Sequence, residues 1–239
     1  MNIELDTHTH TVASIHAYST ITENAAEAAR KNLKLICMTD HGPLLPGGTH
    51  EYFFSNMKVL PKEIHGVRIL KGIETNIKNT DGDLDIPKHL ENRMEIVLVG
   101  LHEGVLTPGT KKENTTAVVN AMKKEFVDIL VHPGNPVYEL DYDDVFKAAR
   151  DTNTFIEINN SSFLGSRKGS KDNCRMIAEK CRDYKLPISL GSDAHYSTYV
   201  GEFSVVTKLL EEIQFPQELI LNTSVDKLLY YLKNKGKNI

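Results

Sequence analysis

Seven short apolar runs, several rich in β-branched residues, recur at residues 3–7, 34–39, 67–73, 95–101, 127–131, 154–158 and 187–190. Their length and composition predict strands. Between them, apolar positions return with helical periodicity over residues 113–124, 142–151, 170–184, 201–213 and 224–233. In the first crossover, Thr20 stands three residues before Glu23, a capping box that opens an alanine-rich helix. The crossover after the third run departs from the rhythm: "NIKNTDGDLDIP" carries an Asp-Gly turn signal and predicts a small hairpin, followed by a helix near residues 88–94. Strands alternating with helices imply parallel pairing, so regular repetition along the chain predicts either a doubly wound sheet or a closed barrel. No Pro/Gly/Ser-rich linker divides the chain, and 239 residues suit one α/β barrel, so a single domain over residues 1–239 is expected.

The polar residues at the ends of these runs change the picture. His8 ends the first, Asp40 and His41 the second, Glu74 the third, His102 the fourth and His132 the fifth, while Asp193 and His195 follow the seventh. His10 lies two positions beyond His8, on the same side of an extended chain, and His16 lies in the loop that follows. A parallel sheet gathers all these ends on one face, where α/β proteins assemble their sites. Seven of the ten histidines thus converge there. One histidine at a strand end is commonplace, but scatter does not choose the same end every time.

Neutral imidazoles with a few carboxylates suit zinc, manganese or iron. The nine candidates are His8, His10, His16, His41, Glu74, His102, His132, Asp193 and His195. A catalytic ion takes roughly three or four protein ligands, so nine suggest three ions, with Glu74 bridging two. Three divalent ions against two carboxylates leave the pocket about four charges positive, which favours a dianion such as a phosphate monoester.

Composition limits the partners. The net charge is −4, there is no tryptophan, and no basic run exceeds the short tail around residues 233–237, which argues against a surface built on nucleic-acid backbones. No stretch has the roughly 18 apolar residues of a membrane span, and the N-terminus lacks a signal-peptide pattern, so a cytoplasmic protein is expected. Cys37, Cys174 and Cys181 form no Cys-x-x-Cys pair and read as reduced core residues. Arg167 and Lys168, in "NNSSFLGSRKGS", belong to the one strand-end loop without a metal donor; Arg167 is the expected substrate clamp, since a guanidinium grips phosphate with two parallel hydrogen bonds. Asp6 and Asp40 precede ligand histidines and are expected to orient imidazoles. His50, His65 and His89 read as surface residues, although the Gly-rich loop before His50 has the make-up of a lid.

The stretches "LDTHTHTVAS", "ITENAAEAARKNLKLICMTDHG", "KGIETNI", "VGLHE", "ILVHPGNP", "IEINNSSF" and "LGSDAH" together resemble the PHP superfamily, named for polymerase and histidinol phosphatase, and within it the small stand-alone YcdX-type phosphatases. The resemblance implies an α/β fold, a distorted seven-stranded (β/α)7 TIM-like barrel with its metal site at the C-terminal ends of the strands. It also implies three divalent ions, usually zinc, with manganese or iron as substitutes. Carried over by motif, His8, His10, Glu74 and Asp193 hold one ion, Glu74, His102 and His132 a second, and His16, His41 and His195 the third. The expected activity is hydrolysis of phosphate monoesters by metal-bound hydroxide, with Glu74, Asp193 and His195 carrying catalysis and a small phosphorylated molecule as substrate. A nuclease or phosphodiesterase acting on nucleic-acid ends, a histidinol-phosphate phosphatase and a metal-sensing protein are the alternatives, and homo-oligomerisation stays open.

Overall fold

The structure, a computed structural model, describes residues 1–165 and 167–239. Seven strands run parallel: β1 (Leu5–Thr9), β2 (Leu35–Met38), β4 (Val67–Asn76), β5 (Ile96–Gly100), β6 (Ile129–Leu130), β7 (Phe155–Asn159) and β8 (Ile188–Gly191). They neighbour one another in that order, and the two-residue β3 (Glu63–Ile64) pairs antiparallel with the start of β4. Helices α1 (Ile21–Arg30), α2 (Glu51–Asn56), α3 (Lys111–Met122), α4 (Tyr142–Thr152), α5 (Ser170–Asp183) and α6 (Ser204–Glu212) fall between or after them, and α7 (Val225–Asn234) ends the fold. The expected seven-stranded barrel is therefore present, nearly closed.

Local sequence explains most of these elements. Thr20 and Glu23 form the anticipated capping box on α1, and Thr110 with Glu113 forms a second on α3. The irregular crossover contains the anticipated turn: Lys78 N donates to Asp83 O at 2.8 Å, Gly82 takes φ +73°, and Ile77 bridges Leu84 in antiparallel sense. The helix expected near residues 88–94 is only a 3-10 turn, Lys88–Leu90, opened by Pro87 and too short in apolar positions to bury more than Leu90. The first strand also runs later than the apolar pattern indicated, so His8 lies inside β1, and β4 continues through Glu74 to Asn76. Cross-strand pairing decides both boundaries.

Alternate strand residues divide the core in two. Ile36, Met38, Val97, Val99 and Ile158 pack outward against helical residues such as Ala28, Val118, Ala149 and Ile177. Leu35, Cys37, Ile96, Leu98, Ile129 and Val131 form a second cluster with Leu228, Tyr231 and Leu232 of α7. The Tyr231 hydroxyl donates to Asp128 O at 3.0 Å and Asn153 O at 2.8 Å, residues just before β6 and β7, so α7 closes the N-terminal end of the barrel. All three cysteines are free and buried, as expected.

The seam between β8 and β1 closes differently at its two ends. Near the C-terminal end, Asp193 N donates to His8 O and His10 N to Ala194 O, both at 2.9 Å. Lower down, the buried amide of Asn222 takes the place of a strand ladder: its Oδ1 accepts from Leu190 N at 2.6 Å, while Nδ2 donates to Leu5 O at 3.0 Å and Leu190 O at 2.7 Å. Removing that amide leaves buried backbone groups unpaired, at roughly 1–3 kcal/mol each. Asn222→Ala should therefore lower unfolding free energy by about 2–4 kcal/mol, read as a lower denaturant midpoint with unchanged m-value.

Candidate metal centre

All nine predicted donors meet at the C-terminal mouth of the barrel. Four atoms form the deepest group: His8 Nε2 and His10 Nε2 lie 3.1 Å apart, Glu74 Oε2 is 3.4 and 3.5 Å from them, and Asp193 Oδ1 is 3.6 and 3.2 Å away. The other oxygen of Glu74 faces a different pair, with Oε1 2.7 Å from His132 Nε2 and 3.1 Å from His102 Nε2. One fully buried carboxylate thus serves two clusters.

Toward the surface the histidines stack. His41 lies 4.3 Å from His10 and 5.1 Å from His16 between ring centroids, and His195 lies 4.7 Å from His16. Among the described residues, three compact donor groups form, each with ligand atoms within 4.8 Å of one another: His10, His41 and His195; His8, His10 and Asp193; and His41, Glu74 and His102. The exposed His16 belongs to none of these and joins the cluster through its stacked ring.

The donor set fits divalent cations. Glu74 Oε2, Asp193 Oδ1, His41 Nδ1 and His102 Nε2 are buried without a hydrogen-bond partner, even though His41 Nδ1 approaches Glu74 Oε2 to 2.7 Å. Buried polar atoms crowded together without hydrogen-bond alignment are costly alone and suited to a shared positive ion. Burial and the neighbouring His41 and His195 hold His10 well below the usual imidazole range. Burial, then His195, takes His16 down to about 4, and burial, then Arg167, takes His132 down to about 3. Burial works against ionised Glu74 and Asp193, but His41 and His8 on the first and Arg167 and His8 on the second keep both well below the usual carboxylate range. Neutral imidazoles and ionised carboxylates are the protonation states that ligation requires. His8 differs: burial opposes its charge, yet Glu157, Glu74 and Asp193 outweigh burial and raise its pKa well above the usual imidazole range.

Residues 6–225 match the model of the PHP domain. The chain belongs to the PHP family. It is 51% identical over 240 residues to a probable phosphatase of Caldanaerobacter subterraneus subsp. tengcongensis, covering 100% of this chain and 94% of that protein. It is 46% identical over 239 residues to a probable phosphatase of Acetivibrio thermocellus, covering 100% and 99%. Its fold is similar to that of histidinol phosphate phosphatase from Lactococcus lactis, solved with zinc, L-histidinol and phosphate, at 14% identity and a TM-score of 0.58 over 90% of this chain and 95% of that one. It is equally similar in fold to a chain of an archaeal ribonuclease P with mature tRNA, at 11% identity and a TM-score of 0.58 over 97% and 90%. Likenesses at this level of identity show the fold, and function has to be argued from the site. With probable phosphatases as its relatives over the full length, this PHP chain is a phosphatase-type hydrolase.

The structure also reassigns the carboxylates around the PHP donors. Asp6 accepts from the backbone of His8 and Ser192 at 3.2 Å and of Gly201 at 2.8 Å; Asp40 accepts from Thr11 N and the Ser14 hydroxyl at 2.7 Å. Both shape ligand loops rather than hold imidazoles, because each is enclosed by backbone N–H and hydroxyl donors. The imidazole is held instead by Glu157, which the sequence reading passed over: its Oε1 lies 2.8 Å from His8 Nδ1 and its Oε2 accepts from His132 N at 2.8 Å. Its signal was a glutamate in the middle of the apolar "FIEIN" strand. Gly191 makes room for it, since a Cβ there would stand 1.9 Å from Glu157 Oε1.

Arg167 lines the cavity above the donors, its Nη1 donating to Asp193 Oδ2 at 3.0 Å, whereas Lys168 is exposed and outside that lining. His50 caps α2, its Nδ1 accepting from Tyr52 N at 3.1 Å, and His65 and His89 are exposed. Glu157→Gln should weaken metal affinity about 10–100-fold, measured by competition with a chromophoric chelator, because the tautomer and tilt of His8 lose their anchor.

Proposed function

We propose that this chain is a metal-dependent phosphatase that hydrolyses phosphate monoesters at a three-metal centre. The observation that carries the reading is the shared, fully buried Glu74 carboxylate with orphaned donors on either side, next to a cavity of about 810 Å³ lined by His41, His102, Asp193, His195 and Arg167. His8, His10, Glu74 and Asp193 would hold one ion, Glu74, His102 and His132 a second, and His16, His41 and His195 the third. Zinc suits this set, as in the Lactococcus lactis complex, and manganese or iron would be accepted. Bound there, the ions would supply Lewis acidity and a nucleophile drawn from water near neutral pH.

The chain's own groups do the positioning. His8 presents Nε2 because Nδ1 faces Glu157, and His195 presents Nε2 because its Nδ1 donates to Asp193 O at 2.9 Å. Asp193 keeps Oδ1 toward the imidazoles while Arg167 and Asn159 hold Oδ2 at 3.0 and 3.3 Å. Arg167 is thereby aimed at the cavity as the clamp for a phosphoryl group, and no protein nucleophile is required. Glu74, Asp193 and His195 carry the catalytic arrangement; Lys168, exposed and outside the cavity lining, is not part of it.

We take residues 1–239 as one hydrolase domain, since a shared core joins β1 to α7. Among the described residues no helix is long and apolar enough to cross a membrane, and three unpaired buried thiols fit a cytoplasmic setting. Elemental analysis of the purified protein should find about three metals per chain, with activity on a phosphomonoester panel lost to chelator and restored by zinc. Full activity with fewer than two metals per chain overturns the three-metal centre, and faster degradation of a single-stranded oligonucleotide than of any monoester overturns the phosphatase reading. Histidinol phosphate belongs on the panel to separate that narrower activity. Arg167→Ala should raise KM for monoesters about tenfold; an unchanged KM removes the clamp.

A further inference from the structure

We infer that the cavity mouth selects the alcohol half of the ester, accepting bulky apolar leaving groups and rejecting those with a second negative charge. The inference rests on the phosphatase reading and specifies its substrate class.

Size comes first. About 810 Å³ greatly exceeds what a phosphoryl group needs, given that one water occupies roughly 30 Å³ in the liquid. The remaining space lies beyond the donors, where apolar side chains share the lining with Asn135, Asn160 and Ser161. Leu45, Pro46 and Leu101 come from the loops after β2 and β5, Leu164 and Tyr199 from those after β7 and β8. Leu164 is 58% and Tyr199 54% exposed, so large apolar surface stands in water on a concave wall, where a ligand can cover it.

The wall is fixed in place rather than waiting to close. Thr49 N donates to His41 O at 3.0 Å and Ile15 N to Gly47 O at 3.2 Å, which tie the loop after β2 to itself and to the loop after β1. Asp85 accepts from Leu44 N at 3.0 Å while also accepting from Thr75 Oγ1 at 2.8 Å and Asn76 N at 2.7 Å, anchoring the same loop to the end of β4. Gly104 lets the β5 loop meet it directly, since a Cβ there would lie 2.6 Å from Pro46 Cδ. The Gly-rich segment that resembled a lid is therefore a preformed wall.

Charge supplies the discrimination. Among the described lining residues, the carboxylates other than Asp193 are Glu103, after β5, and Glu202, after β8, and Arg167 is the lining cation. Strands β5 and β8 are three steps apart in a seven-strand ring, so the two glutamates approach from opposite sides. Glu202 Oε1 accepts from Ser204 N at 2.9 Å, which holds the side chain in position. A leaving group with its own carboxylate or phosphate would meet two like charges, whereas a neutral aryl or alkyl group would meet none and would cover Leu164 and Tyr199.

The test compares phenyl phosphate, 1-naphthyl phosphate and 4-carboxyphenyl phosphate on the metal-loaded full chain. The wild type should show kcat/KM at least about tenfold higher for phenyl than for 4-carboxyphenyl phosphate, and Glu103→Gln/Glu202→Gln should shrink that ratio about tenfold. Leu164→Asn should lower kcat/KM for the naphthyl ester about tenfold relative to phenyl. Calorimetric binding of phenylphosphonate and 4-carboxyphenylphosphonate should show the same ratio and the same collapse in the double variant, independently of turnover. Equal handling of the charged and neutral esters, or a ratio unmoved by the double variant, overturns the inference and leaves the phosphatase reading standing. Failure to hydrolyse phenyl phosphate overturns both.

Discussion

A carboxylate with no solvent exposure, Glu74, sits between two sets of imidazoles, and much of the upper barrel is arranged to make that tenable. An isolated buried carboxylate would neutralise itself by taking a proton. Glu74 stays ionised because His41, His8 and His102 surround it, and those rings are brought there by three different strands and the loops that follow them. The barrel divides its labour accordingly. Its lower half is filled by aliphatic side chains and plugged by α7, so the chain keeps its stability there while the mouth concentrates polar groups that would otherwise be a liability.

Precision at the mouth comes from groups that touch no reacting atom. His132 and Asp193 both adopt left-handed backbone conformations, with φ of 35° and 56°, just past the ends of β6 and β8, and their side chains reach Glu74 and His10. Glu157 spans the two sides of the site by holding the His8 ring and the His132 backbone at once. Asp6, Asp40 and Asp85 perform the same service for the loops, each carboxylate gathering several N–H or hydroxyl donors that no strand ladder satisfies. Loops anchored in this way can present a rigid wall to a ligand, which makes discrimination between leaving groups a matter of fixed shape and charge rather than of closure.

The repeated appearance of a histidine or carboxylate where an apolar run stops was readable before any coordinates, because a parallel barrel sends every such end to one face. The hairpin in "NIKNTDGDLDIP" was equally readable from its Asp-Gly turn. Glu157 was not singled out, since a lone glutamate in a strand looks like a solvent-facing residue until the barrel closes around it. Asp6 and Asp40 were given the wrong partners for a related reason: adjacency to a histidine in sequence says little about which way a strand-end carboxylate points once neighbouring backbone donors compete for it.

Local periodicity and the identity of strand-end residues thus determined the class of fold and the chemistry of the donors, since both follow from patterns only a few residues long. Tertiary structure alone decided which donors share an atom, which carboxylate orients which ring, and how the seam is held by Asn222, a residue far outside both strands that it joins. Those are contacts between segments as much as 217 residues apart, and no local propensity encodes a distance between them.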